Sequence, residues 1–292
     1  MIKWLAIALL AITLNIQAKN LAENQEIIWV TDTVSTLSDD SNNMDVDGST
    51  TALLFPLLPP QYKITKIQGN FNRSFNLLQS QENVCTGNKL VTFERKKFGH
   101  ITNIPQVVFP GLRLYVDQNS SFYSKIQTLA YQDNSISITK ILNTIPNINF
   151  GVAGGRKYGK EIDLIIKDNK WQTRFLHRNA SDMAAGVIKM FERGRLDLII
   201  EYPNVLSHYQ TQDEQPLKLK SFSIVESQQY MLGNIMCSKS DLGLKLINQF
   251  NQIIEKVSKD KRYFDTHIKW FDSSTKSDAI KFYNRIYKTD FH

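Results

Sequence analysis

The strongest constraint on the fold is that the apolar runs are short and alternate with stretches of helical spacing. Ile27-Ile28-Trp29-Val30, Leu112 to Val116, Asn149 to Val152 and Leu196 to Ile200 are each four or five residues long. That is strand length, and too short for a buried helix. The last run is almost purely apolar, as a strand covered on both faces requires. Tyr62 to Ile67, Trp171 to Leu176, Lys218 to Val225 and Met231 to Ser238 read as further strands. Among them lie segments with helical spacing: Ser124 to Tyr131, Ile136 to Leu142, Tyr158 to Ile166 and Met183 to Phe191. A longer one follows, in which Leu244, Ile247, Phe250, Ile253, Ile254 and Val257 recur on one face. Ser49 is placed to cap a short helix that Pro59-Pro60 terminates. Tyr263, Trp270, Phe282 and Tyr287 predict a packed, helical C-terminal region. Strands alternating with helices predict an α/β architecture with largely parallel sheets. With 292 residues, 42% of them hydrophobic, a large core is available, and it divides more naturally into two lobes than it holds as one.

The N-terminal residues speak to compartment. Lys3 precedes an apolar run of 11 residues, Trp4 to Leu14, and Ala18 offers a small residue for cleavage before Lys19. This reads as a secretory signal peptide over residues 1–18. The run is well short of the roughly 20 residues that span a bilayer. No second run of spanning length follows, so the exported chain is expected to be soluble and not membrane-embedded. The formal charge of +7 is scattered, without a block of like charges. That favours a mildly basic, solvated surface over a nucleic-acid footprint. Two cysteines, Cys85 and Cys237, read either as one disulfide or as two buried thiols, and an oxidising compartment favours the disulfide.

Enzyme signatures are missing. There is no Gly-x-Ser-x-Gly elbow, no His-Glu-x-x-His, and the five His are dispersed. No catalytic residue, metal or cofactor is called for. Gly154-Gly155-Arg156-Lys157-Tyr158-Gly159-Lys160 is one residue from a phosphate-binding loop, but Glu161 stands where Ser or Thr is needed. A glycine turn between strand and helix exposes backbone N–H groups suited to a carboxylate, with Arg156 adding a bidentate fork. The other reading is a helix start with a solvated arginine.

Leu90-Val91-Thr92-Phe93-Glu94-Arg95, ten residues after Cys85 at its end and followed by Pro105, resembles the Thr-x-x-Arg segment of family 3 extracellular solute-binding proteins. These are the amino-acid-binding type of bacterial periplasmic protein. Phe150 to Gly155 resembles the strand and turn that open the family's second lobe, and Gly194-Arg195-Leu196-Asp197 its Gly-Arg-x-Asp strand entry. Gly243 to Lys256, Tyr263 and Trp270 resemble its closing helices. Cys85, Glu94-Arg95, Gly155 to Gly159, Ile200 to Pro203 and Cys237 to Lys239 resemble one proteobacterial subgroup more closely.

The resemblance implies a two-lobed type II periplasmic-binding fold with two crossover strands and a ligand cleft. Lobe 1 would comprise residues 19–111 and 234–292, and lobe 2 residues 112–233. Cys85 and Cys237 would then staple adjacent elements of lobe 1. Arg95 falls on the arginine that grips a ligand carboxylate, against an ion pair with Glu94 as its structural alternative. A guanidinium suits the former role because its planar donor fork matches a carboxylate. Arg156 or Lys157 falls where the second lobe ordinarily offers a hydroxyl. The family's ammonium-binding aspartate would stand at Tyr202, with Glu201 adjacent but on the opposite face of a strand. Asn88 and Leu90 stand where small hydroxyl residues line the pocket, and Asp32 and Thr33 are candidate wall residues; Trp29 reads as core. The expected function is an exported, monomeric protein that traps a small polar or carboxylated ligand by hinge closure. It would feed an ABC permease or report to a membrane sensor. The rivals are a protein-interaction member with a vestigial pocket, and a periplasmic dehydratase-like enzyme using Glu201.

Overall fold

The computed structural model describes residues 25–31, 45–180, 182–210, 217–271 and 275–292. The predicted leader, Asp32 and Thr33 lie outside them. Two six-stranded sheets organise the described chain. The first contains β1 (Gln25–Thr31), β2 (Tyr62–Gln68), β3 (Val84–Lys89), β4 (Gly99–Ile101) and β5 (Val107–Pro110). The second contains β6 (Arg113–Asp117), β7 (Ser135–Ile136), β8 (Phe150–Ala153), β9 (Phe175–Arg178), β10 (Leu198–Glu201) and β11 (Leu219–Ile224), in the order β7-β11-β6-β10-β8-β9. The chain then returns to the first sheet as β12 (Tyr230–Ser238), which completes the order β2-β1-β3-β12-β4, with β5 on its other half.

The sheets are mixed rather than largely parallel. β12 runs antiparallel to β3, β4 and β5, and β6 runs antiparallel to β10 and β11. The cause is topological: β12 re-enters the first sheet from the second and meets its neighbours head to tail. Its N-terminal half pairs with β5, Tyr230 opposite Pro110 through Gly233 opposite Val107. Two strands thus cross between the sheets side by side. At the far end of β5, the Gly111 N–H donates to the Gln229 carbonyl at 2.7 Å. A Cβ on Gly111 would stand 2.0 Å from the Gln228 carbonyl oxygen, so only glycine fits this approach.

The helices of the first half are α1 (Val46–Leu54), α2 (Phe71–Ser80), α3 (Phe93–Phe98), α4 (Tyr123–Leu129) and α5 (Ile138–Thr144). Asp45, not Ser49, caps α1, accepting from the Gly48 N–H at 2.8 Å. Ser49 lies within the first turn, because the helix begins at Val46, four residues before a Ser49 cap would start it. The segment expected to be helical from Ile136 is divided at Ser137, whose hydroxyl caps α5 through the Lys140 N–H. The predicted strand from Trp171 starts late, at Phe175. Before it Gln172–Arg174 form a 3-10 turn, fixed by the Arg174 guanidinium donating to the Ile145 and Ile148 carbonyls.

The remaining helices are α6 (Lys160–Lys167), α7 (Met183–Glu192), α8 (Pro203–Tyr209), α9 (Asp241–Val257), α10 (Lys261–Ile268) and α11 (Lys276–Tyr287). On α9 the buried face is Leu246, Ile247, Phe250 and Ile254. Leu244, predicted on that face, is 45% exposed. Trp29 is core, packed edge-on to Phe55 at 4.9 Å. The C-terminal aromatics do more than fill space. The Tyr263 hydroxyl donates to the Gln106 carbonyl and the Tyr287 hydroxyl to the Pro105 carbonyl. His267 Nε2 lies 2.9 Å from both the N and the O of Val108. Helices α10 and α11 therefore clamp the root of crossover strand β5.

Cys85 and Cys237 form the disulfide. They are opposite one another on antiparallel β3 and β12, with Cα atoms 4.0 Å apart. The staple lies inside the first sheet and leaves both crossings unconstrained.

Candidate functional site between the two sheets

Thr92 ends the loop after β3 and caps α3, its hydroxyl accepting from the Arg95 N–H at 3.2 Å. That cap sets Arg95 in the first turn with its side chain turned inward. Only 3% of Arg95 is exposed. Its Nη1 donates to the Leu90 carbonyl at 2.8 Å, and the guanidinium carbon sits 4.6 Å from the centre of the Phe75 ring. Its Nε is buried without a partner. Burial pulls the guanidinium down to about 10, opposed in part by the charges of Asp163, Tyr202 and Glu94. Arg95 thus faces inward rather than outward toward Glu94, which is exposed.

The strand end beside it is held from below. Asn88 adopts a left-handed φ of 52°, which asparagine tolerates better than other residues bearing a Cβ. Its backbone N–H donates to Gln106 Oε1 at 3.1 Å. The Gln106 amide nitrogen in turn is set among Asp47, Thr50 and Thr51. Between Thr86 and Lys89 the register with β12 shifts. Lys89 is turned inward, 2% exposed, its ammonium 5.2 Å from the centre of the Phe71 ring.

On the opposite wall the turn after β8 and the end of β10 meet. Arg156 does not stand in solvent or reach freely from its turn. Its two terminal nitrogens each donate to one oxygen of Glu201 at 2.7 Å. The same carboxylate accepts the Tyr202 N–H at 2.8 Å. Burial works against the charge on Arg156, and Glu201 more than reverses that, so its pKa rises. The guanidinium also lies over the rings of Tyr158 and Tyr202, at 5.2 and 4.9 Å. Tyr202 packs on Phe109 at 5.4 Å, and burial is the main cause pushing its phenol up to about 12. The backbone N–H groups expected to greet an anion are engaged locally: the Tyr158 N–H donates to Asp163 and the Ala153 N–H to the Tyr158 hydroxyl.

A cavity of about 100 Å³ lies between these walls. Arg95, Lys89 and Phe109 line it from one side, and Arg156, Tyr202 and Asn204 from the other. Asn88, Leu90 and Lys157 complete parts of its rim. Asn204 Oδ1 is buried without a partner. Two acids also touch the cavity. Asp45 caps α1, and Asp182 is paired with Arg178 at 2.5 Å. A second cavity, of about 760 Å³, shares Leu90 and Lys157 with the first, and a third, of about 560 Å³, shares Lys157 with both. Of the predicted residues, Arg95, Asn88, Leu90, Arg156, Lys157 and Tyr202 come together on the first cavity. Glu201 stands behind Arg156, and Asp32 lies outside the described residues. Lys89, Asn204 and Gln106 were not singled out from the sequence. A lysine at a strand end ordinarily reads as a solvated residue, and the bulge that turns Lys89 inward leaves no local signal.

No protein-family model matches the sequence, and a search of the curated proteins finds no match. Solved structures do match. The probable amino-acid ABC transporter extracellular-binding protein of Bacillus subtilis is 16% identical, with a TM-score of 0.57, over 86% of this chain and 100% of that one. The putative L-cystine ABC transporter of Listeria monocytogenes is 16% identical, with a TM-score of 0.61, over 87% and 98%. A histidine kinase sensor domain with similarity to periplasmic binding proteins is 10% identical, with a TM-score of 0.59, over 85% and 96%. At these identities the likeness concerns the fold. No helix among the described residues is long and apolar enough to cross a membrane. With its paired crossover strands and a cavity between two sheets, the chain has the two-lobed fold of the type II periplasmic-binding proteins.

Proposed function

We propose that this protein is an exported solute-binding protein that closes its two lobes around a small polar, carboxylate-bearing ligand. The leader would be residues 1–18, with lobe 1 formed by 19–111 and 234–292 and lobe 2 by 112–233. The observation that carries the reading is Arg95: a buried guanidinium with an unpartnered Nε on the wall of the cavity between the sheets. A buried donor without an acceptor carries a desolvation cost of about 1–3 kcal/mol, more for a charged group. A ligand carboxylate would remove that cost and add a charge-assisted hydrogen bond. Because the walls come from both sheets, ligand contacts favour the closed arrangement over the open one, which is a population shift.

Proton-transfer catalysis is the weaker reading. Glu201, the one acid proposed for it, has both oxygens engaged by Arg156. Release to an ABC permease and reporting to a membrane sensor both suit such a binder, and structures of both kinds share its fold. The test is mass spectrometry of ligand co-purifying with periplasmic protein, followed by a melting screen of carboxylates. A ligand at a hundredfold excess over its Kd should add roughly 2.7 kcal/mol of stability. Arg95→Ala should abolish that gain with an unchanged far-UV spectrum. Full ligand stabilisation in the variant would remove Arg95 from the site.

A further inference from the structure

Resting on that reading, we infer that the cavity takes a small hydroxy-carboxylate and rejects the amino acid of the same shape. Three observations carry this. Arg95 offers a buried, unpartnered cationic donor, and Asn204 offers a buried, unpartnered neutral acceptor, both on the cavity wall. These match a carboxylate and a hydroxyl. The third is the internal pair. Arg156 lines the cavity, stacked on Tyr202, and holds both oxygens of Glu201 behind it. The protein's own guanidinium therefore occupies the place where a ligand cation would meet that carboxylate.

Lys89, Arg95, Arg156 and Lys157 all touch the cavity. Its two acids have structural duties: Asp45 accepts from the Gly48 N–H at the start of α1, and Asp182 holds Arg178. An ammonium entering between Arg95 and Asn204 would lose its water and face an acceptor that carries no charge, with the Glu201 carboxylate already held by Arg156. Desolvating a charge without a counter-charge is strongly unfavourable. A hydroxyl in the same position incurs no such penalty and donates to Asn204. The volume of about 100 Å³ is below the ~150 Å³ of an engineered cavity that admits benzene, which restricts the ligand to a handful of heavy atoms.

The experiment compares matched pairs that differ only at one group and respect that size: glycolate with glycine, and lactate with alanine. Affinities are read by calorimetry and by thermal shift on the full exported chain. The hydroxy acid of at least one pair should bind at least about tenfold tighter than its amino partner, on the order expected for an uncompensated buried charge. Equal or tighter binding of the amino acids overturns this inference and leaves the solute-binding reading standing. If none of the four binds and a different class of compound co-purifies, this inference also falls while binding stands. If nothing binds or co-purifies, both fall.

A second arm tests the internal pair. Arg156→Met, with Glu201 retained, should gain affinity for the amino acids. Should that variant fail to fold, the double variant Arg156→Met/Glu201→Gln removes both charges, and the preference for the hydroxy acid should narrow. An unchanged preference in a folded variant would remove the Arg156–Glu201 pair as the cause.

Discussion

Glu201→Gln is the sharpest probe of how the second wall is held. The glutamate side chain is 3% exposed and that of Arg156 9%, so the pair is shielded from water. Glu201 accepts from both terminal nitrogens of Arg156 and from the Tyr202 N–H. A glutamine keeps the shape, and its one oxygen can still serve Tyr202 and one arginine nitrogen. Its amide nitrogen then confronts the other arginine nitrogen, donor against donor, and the guanidinium loses the carboxylate charge that it holds. Removing one partner of a buried ion pair costs about 3–5 kcal/mol. For a protein of this size that corresponds to a fall in Tm on the order of 10 °C. The assay is urea unfolding, with the midpoint compared at constant m, run as a double-mutant cycle with Arg156→Met. The double variant should be more stable than the sum of the single losses implies, by at least about 1 kcal/mol, because each single change strands the other charge. A Glu201→Gln variant within about 0.5 kcal/mol of the native protein would refute the argument, since that is the range of ordinary surface substitutions.

His267 predicts a pH dependence. Burial is the main cause lowering it from 6.5 to about 4, so between those values the unfolded chain binds a proton that the folded chain does not. Its stabilisation is complete above pH 6.5 and is lost as the pH falls toward 4, by about 3 kcal/mol in all. In His267→Gln, urea midpoints measured from pH 7 to pH 4 should fall by correspondingly less than in the native protein. Reduction of Cys85–Cys237, which are 152 residues apart, should lower stability by as much as about 5 kcal/mol on the chain-entropy account. Thiol titration under denaturing conditions should find no free sulfhydryl before reduction and two after it. Gly111→Ala would drive a methyl into the Gln228 carbonyl between the crossing strands. It should destabilise by about 1–3 kcal/mol and weaken ligand-induced stabilisation; native behaviour in both would show that the crossing tolerates separation.

The first wall of the cavity was legible in the sequence only in part: Asn88, Leu90 and Arg95 were named, Lys89 and Gln106 were not. Thr92 and Arg95 were marked by the resemblance of their segment to a known family, and the structure adds the reason they act together: Thr92 caps the short helix that carries Arg95. Local pattern sufficed for the strands Leu198–Glu201 and Phe150–Ala153, whose apolar character marks them as buried. Local pattern failed where neighbours in space decided the outcome. Ser49 yielded to Asp45 as the cap, and Leu244 to Leu246 on the buried face of α9. Cap choice and helix rotation depend on where the core lies, not only on spacing.

The sequence by itself determined the α/β alternation and the two-lobed expectation, whereas position 95 was marked only by the resemblance of its segment to a known family. The first two follow from periodicity and from residue chemistry over a few turns of chain. What Arg156 and Glu201 do was settled only by tertiary structure. They are 45 residues apart, and they meet because β8 and β10 pair in parallel, Phe150 beside Leu198 and Gly151 beside Ile199, so that both C-terminal ends open on the same cavity. Lys89 is a similar case, turned inward by a register shift against a strand that arrives from the other lobe. A long-range pairing costs loop-closure entropy that is recovered only when the whole sheet forms. No local segment therefore carries its signature.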